Sequence, residues 1–182
     1  NYPAATLGVG QPYIEGVVIR GVIAAGAGTS SYGIKLGDGD PDYRISNCVV
    51  YDFNQTSNAG IGSASGQGGQ DGYVYNCAVI NCTIGYVAAA LTRVKNCLYD
   101  SQGLSGADGF NGTFQADSNY NCSDLASDAP GANSRNSQTT TYVDEAGDDF
   151  HLASGDASCK DFGTDLSADA SYPITVDFDW VT

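Results

Sequence analysis

The sequence predicts an all-β solenoid, a chain of short strands wound into a few stacked coils. Three observations predict it. The dipeptide Asn-Cys recurs at Asn47-Cys48, Asn76-Cys77, Asn81-Cys82, Asn96-Cys97 and Asn121-Cys122, mostly ahead of short apolar runs such as VVY, AVI and LY. If Asn47, Asn76, Asn96 and Asn121 are equivalent corners, the repeat spacings are 29 (47 to 76), 20 (76 to 96) and 25 (96 to 121) residues. A repeat of that length buries its apolar face only against its neighbours, which is the mark of a solenoid. The runs are rich in Val, Ile, Tyr, Thr and Asn and are separated by Gly, Asp and Ser, a composition that suits short strands and tight turns.

The corner has a physical logic. Asn tolerates the left-handed backbone that a sharp bend between strands needs. Coils stack about 4.8 Å apart, close enough for the Asn amides to bond one to the next along the axis. Cys is small and readily buried, so Cys48, Cys77, Cys82, Cys97 and Cys122 are expected just inside the bends. After Asn47, Cys48 then faces in, Val49 out and Val50 in. After Asn96, Leu98 faces out and Tyr99 in. Asn76 and Asn81 are five residues apart, so one of them marks a second corner of the same coil. The corner thiols read as a reduced, inward-facing ladder, or as one or two disulfides between neighbouring coils, whose spacing a disulfide accepts.

In chain order, residues 1–12 form an extended arm held by Pro3 and Pro12. Residues 13–141 hold the coils. Tyr13 to Ala25 is the first strand pair, with Gly16 where later coils place Asn, and Tyr32 to Leu36 is a short strand. The turn at 37–42 carries Asp38, Asp40 and Asp42, alternate carboxylates that resemble the opening of a calcium loop, although no Glu closes it. Residues 54–72, rich in Gly, Ser and Gln, read as a long loop or as a weak strand at Ile61 between two loops. Residues 100–113 read as a second loop tipped by Leu104 and Phe110. Residues 123–141 are polar and run over the surface. In residues 142–182, Val143, Phe150, Leu152, Phe162, Leu166, Ile174, Val176, Phe178 and Trp180 alternate with acids and turns. This segment is expected to cap the last coil, whose open backbone edge needs a cover.

The phrases SNCVVYDF, YNCAVINCTIG and VKNCLYDS resemble the right-handed parallel β-helix, or pectin-lyase-like, superfamily. The ending DDFHLASGDASCKDFGTDLS resembles the phrase that closes many bacterial and phage β-helix proteins. Gly155-Asp156-Ala157 stands for its turn and Lys160-Asp161-Phe162-Gly163 for its last element. The resemblance spans residues 43–179 and implies a right-handed parallel β-helix of few coils with a C-terminal capping segment. The scaffold carries lyases, hydrolases, adhesins and virion parts alike, so it does not select a function.

The 182 residues carry a net charge of −14, from 21 acidic and 7 basic side chains. Such a chain repels nucleic acid and anionic membrane, and no run is long enough to span a bilayer. The opening residues lack the basic start and apolar core of a signal peptide, and no Met occurs, so an upstream region is expected. One His and the lack of a CxxC argue against a zinc site. Catalysis would have to come from Asp52, Asp100 and Asp124 near strand ends, with Arg93 or Lys95 as the basic partner that pectate-lyase relatives use. Their offsets from the corners drift, so they need not form one column. The lone His151 reads as a structural hydrogen-bonding group. The favoured reading is a non-enzymatic structural or attachment module of a virion or cell surface, with no required cofactor. The resemblance narrows it to a phage particle component, a decoration (cement) protein or tail-fibre part, assembled as a homo-oligomer with a trimer favoured. The other reading is the terminal part of a polysaccharide lyase or glycoside hydrolase, for which polysaccharide is the ligand; calcium is the cation the acids would attract.

Overall fold

The computed structural model describes residues 13–21, 31–36, 42–63, 71–88 and 91–176. Twelve strands wind as four successive triplets. The first is β1 (Tyr13–Glu15), β2 (Val18–Arg20) and β3 (Tyr32–Leu36). The second is β4 (Tyr43–Ser46), β5 (Val49–Tyr51) and β6 (Ala59–Ser63). The third is β7 (Gly72–Tyr75), β8 (Ala78–Ile80) and β9 (Ile84–Val87), and the fourth is β10 (Thr92–Lys95), β11 (Leu98–Asp100) and β12 (Asp108–Asn111). A fifth coil begins with a bridge at Asn119 and with β13 (Cys122–Ser123). Each strand pairs in parallel with its counterpart one coil away, giving three sheets in the orders β1-β4-β7-β10, β2-β5-β8-β11-β13 and β3-β6-β9-β12. The fold is therefore an all-β parallel solenoid of about three turns from β1 to β10.

The bend between the first two sheets has one backbone conformation in every coil. Gly16, Asn47, Asn76 and Asn96 take φ of 66°, 53°, 51° and 54°. The register pairs Val18 with Val49, Val49 with Ala78, Ala78 with Leu98 and Leu98 with Cys122. The fifth corner is therefore Tyr120, at φ 57°, and not Asn121. Strand side chains alternate, so this one-residue slip exchanges the faces. Asn121 turns inward where the other coils put a thiol. There its Oδ1 accepts from Cys97 N at 3.0 Å, and its Nδ2 donates to the Val94 and Pro130 carbonyls. Cys122 turns outward and forms a disulfide with Cys159, with Cα atoms 6.0 Å apart. Cys48, Cys77, Cys82 and Cys97 are buried free thiols. Asn81 marks a second corner, stacked on Asp52, whose Oδ1 accepts from Asn81 Nδ2 at 2.8 Å.

The interior is narrow. Ile45, Val74 and Val94 from one sheet meet Val50, Val79 and Tyr99 from the next, with the thiols of Cys48, Cys77 and Cys97 at the bend. Tyr86 crosses from the third sheet, and its hydroxyl donates to the Cys77 and Leu98 carbonyls. This packing decides one open reading and explains one correction. Of the two readings of 54–72, the strand at Ile61 is the one found, as β6, while the segment read as a loop at 100–113 contains β12. Phe110, expected at a loop tip, is buried and stacks on Tyr86. Gly33, Gly60, Gly85 and Gly109 form a column in the third sheet. A Cβ at any of them would lie 2.3 Å from a neighbouring heavy atom, so the close approach of the sheets demands the glycines that suggested loops.

The cover is also placed differently. Residues 114–137 fold over the last coil: Gln115 and Asn119 donate to the Thr92 and Val94 carbonyls, and Ala129 enters the core. The segment expected as an end cap runs along the side. Its first part is an antiparallel hairpin, β14 (Tyr142–Asp144) and β15 (Asp149–Leu152), which lies on the outer face of the second sheet against Tyr51 and Ile80. Its second part is a strap over the first sheet. The strap starts at the Cys122–Cys159 disulfide and bonds Asn96 through Thr164. It then reaches Ser46 through Tyr172 and Asn47 through the Val176 carbonyl, so it runs from the fifth coil back to the second. The residues expected at 1–12, and Phe178 and Trp180 of the expected cap, lie outside the described residues.

Candidate functional site

A groove lies between the hairpin and the column of corner asparagines. Its floor is the outward column of the second sheet, Val18, Val49, Ala78 and Leu98, one residue from each coil. Three coil steps of about 4.8 Å make that floor about 14 Å long. One wall is the corner column Asn47, Asn76 and Asn96, and the other is the hairpin from Asp148 to Leu152. The groove is open to solvent and has a volume of about 370 Å³, which falls in the range of ligand clefts. The floor is apolar although it faces out, and Val18 is 52% exposed.

The amide wall is ordered by its own bonds. Asn96 Nδ2 donates to Asn76 Oδ1 at 3.0 Å, and Asn47 Nδ2 donates to Glu15 Oε1 at 3.2 Å. Asn47 Oδ1 is buried without a hydrogen-bond partner. The opposite wall is acidic. The His151 ring and backbone N–H bond Asp149, which holds that carboxyl below the usual range, so it is charged at neutral pH. Asp148 Oδ2 accepts from Arg20 Nη1 at 2.7 Å, and Arg20 Nε also bonds Asp52 at 3.0 Å. Beyond the hairpin is a smaller polar recess of about 240 Å³, where Arg20, Asp52, Asn81, Gln102, Glu145 and Asp148 meet.

The residues singled out for catalysis do not gather in one cleft. Asp52 sits at the second corner of its coil, tied to Arg20 and Asn81. Asp100 is buried under the hairpin, where Tyr142 OH and Gln102 Nε2 donate to its Oδ2 at 2.9 and 2.8 Å. Burial pushes that carboxyl up. Asp124 accepts from Ser101 Oγ, and its Oδ1 is buried without a partner. Arg93 and Lys95 stand on the outer face of a different sheet, under the strap. Arg93 bonds Asp71 at 2.5 Å and Asp117 at 3.2 Å, and Lys95 bonds Asp169 at 2.8 Å. Of the thiols, burial pushes Cys77 up and Cys82 up to about 12, which keeps them protonated and unreactive at neutral pH.

Among the described residues no three His, Cys, Asp or Glu side chains gather as a metal site. Of the three carboxylates expected to hold calcium, Asp38 and Asp40 lie outside the described residues, and Asp42 Oδ1 accepts from Asp71 N at 2.9 Å. Among the described residues no helix is long and apolar enough to cross a membrane.

Sequence reasoning did not foresee the groove, yet a signal was present. Two residues past each corner stands Val18, Val49, Ala78 or Leu98, apolar at a position that strand alternation turns outward. An outward apolar column in every coil calls for a cover or a partner. No protein-family model matches the chain, and searches of curated proteins and of solved structures return no match.

Proposed function

We propose that the chain is a non-enzymatic structural and attachment module of a virion or cell surface, in its narrowest form a phage particle component of the decoration or tail-fibre type. The observation that carries this reading is the strap. A thin solenoid is clamped along its side by a segment that returns over several coils and is locked by the Cys122–Cys159 disulfide. Such a cross-link suits a protein that works in an oxidising, extracellular setting, and the clamped rod presents its side faces as fixed surfaces. Kinship with the pectin-lyase-like superfamily, and assembly as a homo-oligomer, a trimer above all, belong to the same proposal and rest on the sequence phrases.

The competing reading, a polysaccharide lyase or hydrolase, needs acids and a basic group around one cleft. Asp52, Asp100 and Asp124 each engage a neighbour in the fold, and Arg93 and Lys95 stand on another sheet. That separation favours attachment. The test combines light scattering of the purified chain, its binding to intact cells and phage particles, and a polysaccharide panel assayed for unsaturated or reducing ends. An oligomer that binds a surface and releases nothing is the expected result. A monomer that binds no surface, or any released sugar product, overturns the proposal.

A further inference from the structure

We propose that Lys95 and Asp169 are the two ends of a cross-link the chain makes by itself. In the folded molecule the Lys95 amine condenses with the Asp169 carboxyl to an amide, releases one water and ties the strap covalently to the fourth coil. Asp117 carries the proton between them. Such a bond would form whatever the folded chain attaches to.

Three segments far apart in sequence meet at this point. Lys95 ends β10, Asp117 belongs to the segment folded over the last coil, and Asp169 belongs to the strap. Lys95 Nζ donates to Asp169 Oδ2 at 2.8 Å and stands 3.6 Å from Asp117 Oδ2. The Lys95 and Asp169 side chains are only 16% and 11% exposed. The amine lies 5.3 Å from the centre of the Tyr75 ring, which packs with Leu166, Tyr172 and Ile174 of the strap. A largely dry site strips water from an amine and makes it a better nucleophile. Holding amine and carboxyl in contact also replaces a bimolecular encounter by an intramolecular one. Lys160 meets Asp161 at 2.7 Å as well, but that acid is 85% exposed, and the pair should stay unlinked.

The electrophile is prepared too. Asp169 Oδ1 accepts from the Ser171 and Tyr172 backbone N–H groups at 3.0 and 2.9 Å, while Oδ2 faces the amine. The carboxyl is thus divided into one oxygen held by two donors and one that can leave. Two backbone N–H groups on the oxygen where negative charge gathers are what stabilises the tetrahedral intermediate of acyl transfer.

At rest the pair is ionic. Burial raises the Asp169 carboxyl, but the Lys95 amine and the Tyr172 and Ser171 N–H groups outweigh burial and hold it below the usual range. The reaction starts when a proton passes along the Lys95–Asp169 hydrogen bond, leaving a neutral amine and a carboxylic acid. Nζ then adds to Cγ, and the carbonyl electron pair moves to Oδ1 under the two N–H groups. Asp117 takes a proton from Nζ and returns it to Oδ2. The Cγ–Oδ2 bond breaks, water leaves, and the carbonyl re-forms at Oδ1. Nothing is oxidised or reduced. The ionic resting state makes the step slow, yet each molecule needs it only once, so completion within hours is enough.

The test is intact-mass spectrometry of the whole purified chain after its disulfide is reduced, with sequencing of its tryptic peptides. The expected mass is one water below that of the sequence in most molecules, and the expected peptide joins Lys95 to Asp169. Lys95→Arg keeps the ion pair without a nucleophilic amine and should show the full mass. Asp117→Asn removes the proton carrier and should slow the loss by about 100-fold or more, so the freshly purified variant should also show the full mass. Circular dichroism checks that both variants fold; where one does not, the joined peptide of the unaltered chain decides alone. Full mass in the unaltered chain overturns the proposal and leaves an ordinary ion pair. A water deficit that persists in Lys95→Arg overturns it in favour of a cyclic imide at an aspartate. Fresh Asp117→Asn linked as completely as the unaltered chain overturns it as well.

Discussion

The glycine column of the third sheet gives the sharpest test of the packing. At Gly85 a Cβ would lie 2.3 Å from the Gly109 carbonyl oxygen and 2.4 Å from Tyr99 Cδ2. Neither neighbour moves freely. The carbonyl belongs to the adjoining strand β12, and Tyr99 is pinned by its hydroxyl bond to the Cys82 carbonyl at 2.7 Å. Opening these contacts to a tolerable 3.0 Å moves β12 by about 0.7 Å, across every residue of the pairing. Overpacking of this kind costs about 1–3 kcal/mol, and a backbone obstacle puts Gly85→Ala at the upper end. The φ of Gly85 is not positive, so the lower entropy of the unfolded alanine chain returns about 0.4–1 kcal/mol. A net loss of about 2–3 kcal/mol lowers the melting temperature by about 4–12 °C in a chain of this size. Thermal unfolding followed by circular dichroism measures it. The control is Gly155→Ala, where a Cβ would meet nothing within 4 Å and the change should stay within about 0.5 kcal/mol. If Gly85→Ala melts with Gly155→Ala, the close approach of the sheets is not what requires the column, and the account of the Gly-rich segments fails.

The disulfide closes a sequence separation of 37 residues, so Cys159→Ser is expected to cost about 3–4 kcal/mol; reductant should produce a similar shift in the unaltered chain and none in the variant. Asp156 gives a pH dependence. Burial opposes its charge, but the Cys159, Lys160 and Thr141 backbone N–H groups outweigh burial and pull the carboxyl down to about 2. A folded value below the unfolded one stabilises above pH ~4 and is lost as pH falls toward 2, by about 1–2 kcal/mol. Melting temperature against pH should therefore fall less between pH 4 and 2 in Asp156→Asn; equal slopes would refute the assignment. Asn121→Ala strands a buried amide and two carbonyls, for a loss of about 2–4 kcal/mol. Tyr120→Asn relieves a left-handed tyrosine, loses a ring contact with Phe162 and stays within about 1 kcal/mol. Urea midpoints that rank the two variants the other way would restore Asn121 to the corner.

The fold was legible where one backbone constraint met one residue preference. A left-handed bend repeated every coil, and Asn met it at 47, 76 and 96. The constraint is conformational and the dipeptide is chemical, so the two part company where the preference is not absolute. Gly16 and Tyr120 fill the same bend. At the fifth coil the Asn-Cys pair stands one residue past it, and strand alternation sends Asn121 inside and Cys122 out to meet Cys159. The third sheet was legible in part, as the strand from Tyr32 to Leu36 and one of two readings at Ile61, and was missed at β12 for a different reason. Glycine marks both loops and places too tight for a Cβ, and composition alone does not distinguish them. The groove was harder still, because its walls come from residues 47–98 and 148–152. Each half made partial sense alone: Val49, Ala78 and Leu98 as strand residues, Phe150 and Leu152 as part of a cap. Only the return of the chain along the side of the solenoid sets the hairpin face of Phe150 and Leu152 beside the outward apolar column of Val49, Ala78 and Leu98. A cover supplied from more than 40 residues further along the chain leaves no local trace at the strands it covers.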